Sequence, residues 1–128
     1  MKLAALAVAL SGVTAAAHHS LETTYDLKHE VRLEGRIIQV LLRNPHSFLQ
    51  VEVPDQNGTV RRWALEFPRG SKSLRKQGIG PGTLKAGDQI SVTMHPPRRS
   101  GATLGSLVEL HRPSDGFEWS ARVKQKPG

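Results

Sequence analysis

The 128-residue chain has no cysteine. This excludes a disulfide framework, a thiolate metal site, a cysteine nucleophile and a lipid-attachment cysteine. Aromatic residues make up 5% of the sequence, too few for the stacking platforms that grip single-stranded nucleic acid. The apolar run from Leu3 to Leu10 is far shorter than the roughly 20 residues a membrane span needs. Catalytic signatures are missing too: no Gly-x-Ser-x-Gly elbow, no phosphate-cradling glycine loop, no two-histidine zinc motif within the domain. His46 and Glu66 offer a base and an orienting partner, but nothing marks a nucleophile. These absences favour a binding protein over an enzyme.

Acid is in short supply as well. Eighteen Lys and Arg face 11 Asp and Glu, giving a net charge of +7. In a cytosolic chain such a balance would suggest nucleic acid. The N-terminus argues against the cytosol. Met1-Lys2, the apolar run and Ala15-Ala16-Ala17 have the form of a secretory signal peptide cleaved near Ala17, with a short membrane anchor as the weaker alternative. A periplasmic location follows, with full secretion left open. There a basic surface meets anionic glycans and lipid headgroups. The expected division is residues 1–17 as signal peptide, 18–29 as an N-terminal arm, 30–121 as one β-barrel domain and 122–128 as a disordered basic tail.

Within the domain the strand pattern is legible. Val31, Leu33, Gly35 and Ile37 alternate with polar residues, and from Ile38 the apolar phase switches to Ile38, Val40 and Leu42. A slip of one residue inside a strand is the signature of a β-bulge. The second strand runs from about His46 to Val53, with Leu49, Val51 and Val53 on one face. Asp55-Gln56-Asn57-Gly58 is a hairpin turn, and Thr59 to Phe67 is the third strand. Matching apolar faces pairs odd positions with odd. The simplest register sets Val53 against Thr59, Leu49 against Trp63 and His46 against Glu66, and a slip of two would leave His46 and Glu66 diagonal. Ser71 is a candidate cap for a short basic helix around Leu74 that Gly78 can end. A fourth strand carries Ile90, Val92 and Met94, and a fifth carries Leu104, Val108 and Leu110, with Phe117 to Trp119 closing back on the barrel. The order β-β-β-α-β-β is that of a five-stranded all-β barrel of the oligonucleotide/oligosaccharide-binding (OB) type. An open β-sandwich is the alternative.

The most specific chemical feature is positional. Cleavage after Ala17 would make His18 the first residue, so its α-amine, its ring and the ring of His19 form a set of nitrogen donors suited to copper(II). Cleavage one residue earlier gives Ala17-His18-His19, where an amine, two amides and an imidazole make a square-planar copper or nickel site. His46 and Glu66 are the candidates for drawing that terminus onto the barrel. His29, His95 and His111 read as structural or exposed. The expected metal set is therefore His18, His19, His46 and Glu66. A second possibility is an anion-binding face of Arg61-Arg62, Arg98-Arg99 and the helix lysines, meeting an envelope glycan or lipid.

These motifs together resemble a family of small exported bacterial proteins, domain-of-unknown-function family 6152. The matching pieces are Ala17-His18-His19-Ser20, Tyr25-Asp26, Leu33-Glu34-Gly35, Asn44-Pro45-His46, Trp63-Ala64-Leu65-Glu66 and Leu84-Lys85-Ala86-Gly87-Asp88. The chain departs from the family at Leu21, Leu42 and Ser47, where aromatics are usual. The resemblance implies export and a small β-barrel, and carries no established activity.

Overall fold

The structure is a computed structural model, and it describes residues 21–122. Six strands form one sheet: β1 Val31–Leu41, β2 Ser47–Pro54, β3 Val60–Phe67, β4 Gln89–His95, β5 Leu104–Arg112 and β6 Phe117–Ser120. The helix α1, Ser71–Lys76, lies between β3 and β4. Sheet order is β3-β2-β1-β4-β5-β6, and a parallel pairing of β3 with β5 closes the first five strands into a barrel. The expected five-stranded barrel with one short helix is thus present. β6 is an added strand that extends the edge of β5 beyond β3, pairing Leu110 with Trp119.

One strand serves both halves of the barrel. β1 pairs through Val31–Arg36 with β4 and through Arg36–Leu41 with β2. The β1–β2 register shifts between Ile37 and Gln39, so Ile38 is the extra residue of a bulge where the apolar phase switches. At Gly35 the two strands approach closely, because a Cβ there would strike the carbonyl oxygen of Glu52 and meet Val51 Cγ1 at 2.8 Å. A second bulge lies in β5: Thr93 pairs with Glu109 and Met94 with Leu107. It sends Leu107 and Leu110 into the core cluster, where the sequence pattern puts Val108 beside Leu110.

The β2–β3 register is the two-residue slip. Val53 pairs with Arg61, Val51 with Trp63 and Leu49 with Leu65. Odd still meets odd, and the buried faces still match. Asp55 fixes this hairpin by accepting hydrogen bonds from the backbone of Asn57 and Thr59.

The helix plugs one end. Leu74 and Ile79 are both fully buried, and Ile79 N–H donates to Leu74 O while Gly78 N–H donates to Arg75 O. With Gly78 at φ +93, this is a Schellman stop. Ser71 is not the cap. It is the first helical residue, and Gly70 takes the cap position with no side chain to bond. A side chain at Gly70 would crowd the β1–β2 loop, its Cβ displacing Asn44 Oδ1 and lying 3.0 Å from Pro45 O. Trp119 on β6 packs edge-on against Phe67 at 5.0 Å, and its Nε1–H donates to Gln77 Oε1 at 3.0 Å. Arg112, half-hidden at the end of β5, ties Asp88, Asp115 and the Thr83 carbonyl together.

Residues 21–29 of the expected arm are docked. Residues 21–24 are helical, Tyr25 bridges Pro97, Asp26 N–H donates to Pro96 O and Arg98 N–H donates to Thr24 O. Arg122, which the sequence pattern places at the start of the tail, holds Glu30 and Glu109 at 2.8 Å each. Residues 123–128 lie outside the described residues, as do His18 and His19.

Candidate functional site

The loop Arg43-Asn44-Pro45-His46 leads from β1 into β2, and local chemistry holds it shut. Ser47 is fully buried. Its hydroxyl donates to Arg43 O at 2.9 Å and accepts from Arg43 N–H at 3.0 Å. Arg43 O also accepts from Ser71 N–H, so the loop is clasped to the start of α1. The Ser47 hydroxyl thereby closes the turn.

This clasp delivers His46 to the outer face of the sheet beside Glu66. Glu66 stands opposite Phe48 in β3, so His46, two residues earlier in β2's direction, is its diagonal neighbour. His46 Nδ1 lies 3.1 Å from Glu66 Oε1, with the two side chains 29% and 15% exposed. The juxtaposition inferred from strand parity is therefore present. The contact is short but not aligned as a hydrogen bond: Nδ1 is itself buried and lacks a partner among the described residues. Since the ring as a whole is partly exposed, its accessible edge is elsewhere than Nδ1.

Sequence reasoning missed the third member. Tyr25, 4% exposed, donates its phenol to Glu66 Oε2 at 2.6 Å. Burial pushes the Tyr25 hydroxyl well above the ordinary phenol range, and the hydrogen bond and charge of Glu66 add to it. The phenol accordingly stays protonated as a donor. Glu66 is thus a hub whose two oxygens face the arm and the β1–β2 loop. The available signal was that Tyr25 is the lone tyrosine, set in an otherwise polar stretch.

Other histidines have local duties. His29 Nδ1 lies 2.7 Å from Asp26 Oδ2, and this hydrogen bond chiefly holds the Asp26 carboxyl below its usual range. His95 Nδ1 meets the His29 carbonyl at 2.9 Å. Among the described residues no group of three or more His, Asp or Glu side chains could hold a metal ion. His46 and Glu66 supply at most two donors. The rest of the expected set, His18 and His19, lies outside the described residues.

The family described as "Family of unknown function (DUF6152)" matches over residues 6–107, most of the chain. The chain belongs to this family. The match spans the arm, the His46 loop, Glu66 and the closing strand β5 up to Leu107. Comparison with curated proteins finds no match, and neither does comparison with solved structures. Among the described residues no helix is long and apolar enough to cross a membrane.

Proposed function

We propose that this is an exported binding protein, not an enzyme, that holds copper(II) at its processed N-terminus against the barrel. The amine and ring of His18 and the ring of His19 supply the first donors, and His46 completes the set from the β1–β2 loop. Glu66 takes the orienting role. Metal-bound histidines commonly turn their second ring nitrogen to a carboxylate, and Glu66 Oε1 faces the buried Nδ1 of His46 at 3.1 Å. That leaves the more exposed edge of the ring for a metal. The reach of the arm supports the assembly. From Tyr25, anchored on the same carboxylate, the helical turn at residues 21–24 and the three residues back to His18 span at most roughly 17 Å.

The observation that carries this reading is the Tyr25–Glu66–His46 chain, which ties the arm bearing the two histidines to the barrel's own histidine. Its test is copper(II) affinity of processed protein recovered from a bacterial host. His46→Ala should weaken binding at least tenfold, about 1.4 kcal/mol, while His95→Ala changes it little. Equal effects would show that the terminus binds copper without the barrel. Processing one residue earlier, at Ala17, would give a square-planar terminal site indifferent to His46.

A second reading, contact with an anionic envelope component, is favoured by cations beside this loop that have no carboxylate partner among the described residues.

A further inference from the structure

Between Glu66 and Asp88 the chain carries five basic residues and no acidic one. Three of them, Lys72, Arg75 and Lys76, are spaced three and four apart on α1 and so share one helix face. The opposite face buries Leu74 completely, which turns all three outward, where they are exposed. Arg69 precedes the helix, and exposed Arg43 is clasped to its first residue by the Ser71 N–H. Folding therefore gathers five cations from two separate stretches onto one end of the barrel. Among the described residues none of the five has a carboxylate partner, whereas Arg36, Arg112 and Arg122 are all paired. Arg69 Nε is in addition buried without a hydrogen-bond partner among the described residues.

What lies beside these cations bears on the partner. One open groove of about 510 Å³ runs along β1, β4, β5 and β6 and another of about 590 Å³ along β1 to β5, and none of the five cations lines either. A polymer strand lying in either groove would miss them. Among the described residues the exposed large apolar side chains, Val31 and Val60, sit at the starts of β1 and β3, away from the helix. What remains is an exposed cationic surface with no exposed large apolar side chain among its described residues. We propose that the α1 end of the barrel docks electrostatically on an anionic phospholipid surface. This interaction stands apart from copper and needs neither His46 nor the N-terminal histidines.

Each basic residue close to an anionic bilayer strengthens partitioning about fivefold, and the effect dies away within a Debye length. The test uses processed protein, its start fixed by intact mass, with a chelator present so that copper plays no part. Co-sedimentation is measured with vesicles of phosphatidylcholine alone and with 30 mol% phosphatidylglycerol (about a third anionic lipid, within the range where this term is strong). The variant K72Q/R75Q/K76Q removes three charges from the cap. The control R61Q/R62Q/R99Q removes three exposed charges elsewhere, with Arg61 and Arg62 roughly 15–20 Å before the end of β3.

Expected are preference for the anionic vesicles, its loss on raising salt to about 0.5 M, and a drop on the order of a hundredfold for the cap variant against fivefold or less for the control. The salt titration of the unaltered protein needs no variant to fold. Equal binding to both vesicle types would overturn the proposal, and so would equal losses in cap variant and control, which would reduce the effect to net charge. Capture of soluble dextran sulfate without vesicle binding would also overturn it, in favour of an anionic glycan.

Discussion

Replacing Tyr25 with Phe removes a single oxygen atom. The ring, 4% exposed, keeps its burial, and the backbone bonds of the arm to Pro96 and Arg98 do not involve the side chain. What is lost is a 2.6 Å hydrogen bond from a neutral phenol to a carboxylate. Such charge-assisted bonds contribute about 1.5–3 kcal/mol net. The Glu66 side chain is only 15% exposed, so water replaces the donor poorly. A loss of about 2 kcal/mol at neutral pH is expected in urea unfolding.

The pH dependence supplies a second, sharper readout. Folding raises the Tyr25 pKa, so the unfolded state releases this proton first as pH climbs. The contribution is therefore complete below the ordinary phenol value of about 10 and is lost above it, at about 1.4 kcal/mol per pH unit. Subtracting the Tyr25→Phe curve from the parent curve should isolate that alkaline limb from lysine titration. A loss under about 0.5 kcal/mol, or parallel curves above pH 10, would refute Tyr25 as the buried anchor of Glu66.

Two further outcomes test the fold that positions the site. Gly35→Ala should destabilise by about 1–3 kcal/mol or more, since the clash is with a backbone carbonyl and the packed Val51, and thermal unfolding would register it. Arg112 holds the Asp115 carboxyl down at about 2, chiefly through their hydrogen bond. A depressed carboxylate stabilises above its unfolded value near 4 and loses that stabilisation as pH falls toward 2. Arg112→Gln should accordingly flatten the acid limb between those values, and an unchanged limb in acid titrations followed by circular dichroism would count against the pairing.

Legibility in the sequence followed the range of the forces involved. The bulge at Ile38 was visible because a phase switch is written into consecutive residues. Strand parity was equally visible, but parity repeats every two residues. It therefore fixed that His46 and Glu66 share a face while leaving the register free to slip from Val53–Thr59 to Val53–Arg61. The slip is settled by the Asp55 side chain in the turn, a local hydrogen-bond choice with no periodic trace. Gly70 displaced Ser71 as helix cap because of a tertiary neighbour, the Asn44-Pro45 loop, that no local pattern announces. The contact of Tyr25 with Glu66 was illegible for the same reason. Its partner lies 41 residues away, and a lone aromatic in a polar arm has no period to betray its burial.

Function turns on whether the barrel's histidine joins the terminus at one metal. The decisive measurement is electron paramagnetic resonance of the copper(II)-loaded processed protein, its start established by intact mass, compared with His46→Ala. The predicted result is a chain beginning at His18 whose spectrum loses one nitrogen coupling when His46 is replaced. Identical spectra for the two proteins would contradict it, leaving His18 and His19 as a terminus that binds copper without the barrel.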